Sequence, residues 1–215
     1  MLELRNLGVK IGPVPVLRDV SFSVESGVMA GLIGHNGAGK TSLMRAVMGL
    51  LASSEGAVLL DSTDLAKVPD HQRAHLGIGY MPEDRRLVPA LTVEQNLLVP
   101  AWATDLPAAE TRLEWVYSLI PELREFRDRP STTLSGGQQK LVALGRAMLI
   151  GEKLLLLDEP TEGIAPVLAR RILQVLQNLK SEGLAVLIAE SNVTHLHGLL
   201  DVTFAIERGS VSRLS

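Results

Sequence analysis

The segment Gly34-His35-Asn36-Gly37-Ala38-Gly39-Lys40-Thr41 constrains this chain more than any other stretch of its sequence. It satisfies G-x-x-x-x-G-K-[ST] in full, after the short apolar run Val28 to Ile33 and before a segment that sets Leu43, Val47, Leu50 and Leu51 on one helical face. A strand is therefore expected to run into the loop and a helix to leave it. Gly34, Gly37 and Gly39 let the backbone turn several N–H groups into one concavity suited to phosphate oxygens. The helix beginning near Lys40 adds the positive end of its dipole at the same place. Lys40 offers a mobile charge for terminal phosphates, and the Thr41 hydroxyl is sited to ligate Mg²⁺. Residues Gly34 to Ser42, with His35, Asn36 and Ala38 between the glycines, are thus expected to bind a nucleotide.

The remaining pattern extends this unit into an α/β fold. Leu2 to Val9 and Val16 to Val24 read as two strands around Gly12 and Pro13. Ala57 to Leu60 and Ile78 to Met81 read as further strands, and Thr92 to Val99, Ala108 to Ile120 and Gly137 to Ile150 as helices. Leu154 to Leu157 is fully apolar, as suits a central parallel strand. A helix from Val167 to Lys180 and strands at Ala185 to Ala189 and Val202 to Ile206 complete the pattern. The expectation is one domain over residues 1–215, with a mainly parallel core and helices inserted at about 88–150.

Composition narrows the class of function. A net charge of −3 and 3% aromatic residues argue against a nucleic-acid surface, which needs a basic stripe and stacking platforms. No cysteine is present, so there is neither a disulfide framework nor a thiolate metal site. No signal peptide is visible, and the apolar runs fall well short of the roughly 20 residues a spanning helix needs, so the chain itself is expected to be soluble.

Two further stretches carry chemistry. The run Leu154 to Leu157 ends in Asp158-Glu159. One carboxylate at the carboxyl end of a sheet strand can hold Mg²⁺ through water, and its neighbour is a candidate general base for an attacking water. Upstream, Leu134-Ser135-Gly136-Gly137-Gln138-Gln139-Lys140 places a serine and two glycines at a helix start, a second anion cradle. In this stretch, and in the order of all three motifs over nearly the whole chain, the sequence resembles the ATP-binding-cassette (ABC) family. The resemblance implies the P-loop NTPase ABC ATPase fold, with an N-terminal antiparallel β subdomain and an inserted helical subdomain. It also implies a head-to-tail dimer with a second ATPase subunit, in which Ser135, Gly136, Gly137 and Gln138 complete the partner's ATP site.

The segments Met81 to Pro89 and Leu91 to Leu97, with Trp115-Val116-Tyr117 and Glu162 to Pro166, look like the ATPases of branched-chain (hydrophobic) amino-acid importers, and more loosely of urea or amide importers. That branch implies ATP and Mg²⁺, two integral-membrane permeases, a substrate-binding protein and a place at the cytoplasmic face of the inner membrane. Three positions depart from the general family pattern. Ile11 stands where most members carry an aromatic that stacks on adenine. Glu83 replaces the usual glutamine at Mg²⁺ and the attacking water, as the importer branch also does. Ser191 replaces the usual histidine at the γ-phosphate. His195 and His197 follow, read as helix-surface residues, as are His71 and His75. These departures imply ATP binding with slow hydrolysis. The alternatives are a degenerate ATP-sensing cassette, a soluble remodelling ATPase and a lipid- or polysaccharide-exporting ATPase, against which Glu83 weighs.

Overall fold

Residues 1–192, 196 and 198–215 are described by the computed structural model. Strands β1 (Leu2–Ile11) and β2 (Val14–Val24) form a hairpin, β3 (Met29–Ile33) enters the glycine-rich loop and α1 (Lys40–Val47) leaves it. β4 (Ser53–Leu60), β5 (Thr63–Asp64) and β6 (Ile78–Met81) follow. Then come α2 (Val93–Thr104), α3 (Ala109–Leu119), α4 (Pro121–Glu125) and α5 (Gly136–Ile150) without an intervening strand. β7 (Leu154–Asp158), α6 (Pro166–Leu179), β8 (Ala185–Glu190), β9 (Val202–Glu207) and β10 (Ser210–Arg213) close the fold.

The strands build two sheets, an antiparallel one ordered β2-β1-β4-β5 and a second ordered β10-β9-β3-β8-β7-β6. The second is parallel except for the β9–β10 hairpin. Its central strands are apolar throughout because both faces are covered. Leu154, Leu156 and Leu187 pack with α1 and the antiparallel sheet, while Leu155, Leu157, Val186 and Ile188 pack with α2 to α6. Strand registry sets the site: Ile33 pairs with Glu190, and Asp158 with Ala189. The phosphate loop, the acidic pair and Ser191 therefore all emerge at the carboxyl ends of three adjacent strands, where open α/β sheets bind ligands.

Several boundaries differ from the sequence reading for identifiable reasons. α1 ends at Val47, with Gly49 at φ 75°, rather than reaching Leu51. The buried Arg73 guanidinium takes over its last carbonyls, donating to Ala46 O (3.1 Å) and Val47 O (2.5 Å), and it also binds Leu65 O (2.7 Å) and Val68 O (3.2 Å). α2 runs through Pro100 to Thr104, forgoing one ladder bond. The helix expected to reach Ile120 divides there, because Pro121 opens α4. β10 had no sequence counterpart, and its hairpin turn is made by Arg208 and Gly209, both at positive φ.

Candidate active site

The phosphate loop owes its shape to its glycines in two different ways. Gly37 (φ 81°) and Gly39 (φ 118°) adopt left-handed backbone that only glycine takes readily. Gly34 does not, which corrects the uniform reading of the three. A Cβ there would lie 2.3 Å from the carbonyl oxygen of Ile206, so Gly34 is needed for the close approach of β9.

Lys40, 5% exposed, reaches back across the loop. Its Nζ donates to Gly34 O (2.5 Å), His35 O (3.2 Å) and Ser191 Oγ (3.1 Å), and it pairs with Glu159 Oε1 at 3.0 Å. His35 itself is exposed, as are His71 and His75; His195 and His197 lie outside the described residues. Ser191 brings the strand-end residues together. Its N–H donates to Glu159 Oε2 (3.2 Å), and its hydroxyl lies 2.7 Å from both Glu159 Oε1 and Asn36 Oδ1, one of which takes its single hydrogen.

Asp158 is fully buried, and Thr41 Oγ1 donates to its Oδ1 at 3.2 Å. Its Oδ2 is buried with no hydrogen-bond partner. Burial pushes its carboxyl up to about 6, helped by the charges of Glu83 and Glu159 and opposed by Thr41 and Lys40. An orphaned carboxylate oxygen beside a threonine hydroxyl suits a hard cation such as Mg²⁺, which leaves such oxygens fully used. Exposed Glu83 lines a small cleft together with Thr41 and Asp158. Among the described residues no group of three His, Cys, Asp or Glu is placed to hold a metal, so substrate phosphates and water would have to supply the remaining ligands.

Glu159 follows Asp158 in a left-handed conformation (φ 49°), its N–H fixed on Ala189 O at 2.9 Å. Burial alone would raise its pKa, but hydrogen bonds from Glu190, Ser191 and Lys40 outweigh this and hold it low. Glu190 moves the opposite way, raised by burial and by sharing a proton with Glu159, while Thr161 N–H and Oγ1 donate to it at 2.9 and 2.7 Å. The two carboxyls are thus driven apart, Glu159 toward the ionised form and Glu190 toward the protonated form. No motif announced Glu190; its place follows from β8 lying between β3 and β7.

The loop, Glu83, Glu159 and Glu162 line a cavity of about 590 Å³. Its far end is formed by Val14, Pro15, Val16, Arg18, Arg208 and Gly209, none singled out in the sequence. Arg18 N–H bonds Gly209 O (2.8 Å) and Gly209 N–H bonds Ala38 O (2.9 Å), which fastens β2 and the β9–β10 turn to the loop. Ile11, expected against adenine, is 52% exposed at the end of β1 and does not line this cavity. Ser135, Gly136, Gly137 and Gln138 do not line it either. Ser135 caps α5: its Oγ accepts from Gln138 N–H (3.3 Å) while Gln138 Oε1 accepts from Ser135 N–H (2.9 Å). Ser135 and Gly136 are exposed at this helix start. Glu83 sits in a loop held from two sides. Buried Asn96 bonds Val88 at both N–H (2.7 Å) and O (3.1 Å), and Arg146 donates to Arg85 O (2.5 Å) and Arg86 O (2.8 Å).

Known proteins resemble the chain along nearly its whole length. Residues 17–162 match the family described as ABC transporter. The chain is 34% identical to the high-affinity branched-chain amino acid transport ATP-binding protein BraG of Pseudomonas aeruginosa, over 98% of this chain and 91% of that protein. It is 33% identical to the lipopolysaccharide export system ATP-binding protein LptB of Escherichia coli, over 97% and 87%. A solved ATP-binding subunit of an ABC transporter, 28% identical, superposes over 100% of this chain and 90% of its own with a TM-score of 0.88. With the family match running from β2 past Glu159 and relatives aligning almost end to end, the chain belongs to the ABC transporter family, as an ATP-binding subunit that hydrolyses ATP.

Proposed function

We propose that this chain powers an importer of branched-chain or other hydrophobic amino acids. The observation that carries the reading is 34% identity to BraG along 98% of the chain, joined to importer-like residues in the loop from Met81 to Leu97. In this reading residues 1–215 act as one ATPase domain with helices inserted at about 88–150, and the loop and helix from Pro82 to Leu97 face the membrane subunits. Gly34 to Ser42 bind the triphosphate of ATP, Lys40 exchanging its pairing with Glu159 for the terminal phosphates. Thr41, Asp158 and Glu83 would hold Mg²⁺, which would supply charge neutralisation at the phosphates. Glu159 accepts a proton from the water that attacks the γ-phosphorus, and the bond to the ADP oxygen breaks as ADP and phosphate form. Ser191 steadies Glu159 and, through its hydroxyl, the γ-phosphate. Ile11 provides at most an aliphatic edge to adenine, with Val14 and Val16 as the nearer apolar surface.

Exposure of Ser135 and Gly136 at the start of α5, with Ser135–Gln138 away from the chain's own cavity, supports use in a partner ATPase's site, so two such chains or a heterodimer enclose the nucleotides. Among the described residues no helix is long and apolar enough to cross a membrane. In the importer reading the chain works on the cytoplasmic face of two permeases, with a substrate-binding protein outside. A second reading, lipid export, is favoured by 33% identity to LptB. Co-purifying the chain with the membrane subunits encoded beside it, and measuring ATP-driven leucine uptake into vesicles, separates the two. ATP-dependent leucine accumulation supports import; lipid-stimulated hydrolysis without uptake removes it.

A further inference from the structure

Lys140 stands one turn into α5, directly behind Ser135–Gln138, and its ammonium is buried with 5% of the residue exposed. A buried ammonium is costly unless it is hydrogen-bonded and near compensating charge. Both conditions are met in one place. Its Nζ donates to the backbone carbonyl of Glu159 at 2.5 Å; burial, joined by Arg85, lowers its pKa, and the charges of Glu190, Glu162 and Glu159 act against that fall.

Glu159 needs this support. A side-chain-bearing residue at φ 49° relaxes unless its flanking peptides are held. The peptide before it is held by Ala189 O at 2.9 Å. On the peptide after it, among the described residues, the carbonyl otherwise receives only the Glu162 N–H at 3.4 Å. The side-chain carboxylate is aimed at Lys40 and Ser191, and relaxation of φ, a rotation about N–Cα that carries the side chain and this carbonyl together, would swing it out of that cluster. α5 itself is a firm base. A Cβ on Gly137 would lie 2.1 Å from Leu168 Cδ1, and one on Gly145 2.6 Å from Leu123 Cδ1, so the helix is seated closely against α6 and α4.

We infer that Lys140 is a positioning residue for ATP hydrolysis, gripping the Glu159 carbonyl so that the signature helix and the hydrolytic carboxylate are held as one unit. A shift of Ser135–Gln138 on engaging nucleotide is thereby transmitted through one helical turn to the carboxylate of the same chain. The inference rests on the reading of Glu159 as the hydrolytic base.

The test compares Lys140→Met, Glu159→Gln and the double variant in the full chain, reading single-turnover phosphate release and ATP binding by a fluorescent analogue. Loss of one charge-assisted hydrogen bond in the transition state corresponds to a fall of about tenfold or more in rate. The expected result is that fall for Lys140→Met, with nucleotide affinity unchanged within about twofold, and no further fall when Lys140→Met is added to Glu159→Gln. A purely structural lysine would lower the rate by the same factor in both backgrounds, which overturns the inference, as does a Lys140→Met rate equal to wild type. Should Lys140→Met not fold, Lys140→Gln, whose amide falls about one bond short of the carbonyl, is read by the same criteria. If Glu159→Gln itself hydrolyses at the wild-type rate, the reading of Glu159 fails independently of Lys140.

Discussion

Replacing Asp158 with asparagine should stabilise the metal-free chain at neutral pH while removing its metal-dependent hydrolysis. Asp158 is fully exposed to water only when unfolded, where it titrates near 3.8, and burial raises it to about 6 in the fold. The folded state therefore binds more protons than the unfolded state between these values, and stability falls as pH rises through that window, then levels off above it. The full separation of about two pH units is worth about 3 kcal/mol, of which about 1.4 kcal/mol lies between pH 5 and pH 7.5. Asparagine keeps the acceptor for Thr41 and does not titrate, so its own packing and amide costs are the same at both pH values and cancel in the comparison. Urea denaturation of both proteins with a chelator present, at about pH 5 and pH 7.5, gives the number directly. Relative to wild type, Asp158→Asn should gain about 1–1.5 kcal/mol over that interval. Parallel curves, differing by the same amount at both pH values, would refute the argument that Asp158 is an uncompensated buried carboxyl. Saturating Mg²⁺ and nucleotide should reverse the ranking, since only the aspartate binds them.

Ile11→Tyr, at a position outside the cavity, should leave ATP affinity within about twofold in an equilibrium titration, whereas a base–aromatic stack worth about 1–3 kcal/mol would tighten it about five- to hundredfold. A tightening of that size would mean that adenine reaches β1. Ser191→Ala should lower turnover about five- to thirtyfold through loss of about 1–2 kcal/mol of hydrogen bonding to Glu159 and Asn36, with the Ser191 N–H contact intact. Full activity in a phosphate-release assay would remove the hydroxyl from the site. Arg73→Met should cost about 3–5 kcal/mol in denaturant unfolding, because four carbonyls lose a charged donor and α1 loses its C-terminal support. A cost under about 1 kcal/mol would show that water replaces the guanidinium.

The parts of this site that are contiguous in sequence were legible in it, and the parts assembled across strands were not. Gly34 to Thr41 carries its own conformational and charge requirements, and Leu154 to Glu159 combines an apolar run with two acids, so each announced a strand end with chemistry attached. The capping box of Ser135 and Gln138 is likewise local. Glu190 reads as an ordinary strand residue, and only the order β3-β8-β7 brings it against Glu159. Lys140, Arg18 and Arg208 carry no motif that marks a role, and only packing sets the first against the Glu159 carbonyl and the other two along the cavity. The same distinction explains the fold. Apolar parallel strands were found within a residue or two, whereas the end of α1 depended on Arg73, which is 26 residues beyond Val47. The family pattern sets an aromatic against adenine at the position of Ile11; here that residue, next to the turn at Gly12, is exposed outside the cavity.

The account depends most on Glu159 as the group that activates water, and one measurement addresses it without the membrane subunits. Single-turnover phosphate release is compared for wild type and Glu159→Gln, with ATP affinity measured on the same preparations. Glutamine preserves the size of the side chain and an acceptor for Ser191 but cannot take a proton. The predicted result is a rate at least about 100-fold lower with ATP binding retained, in line with the upper part of the range for loss of a general base. Equal rates would contradict the central claim.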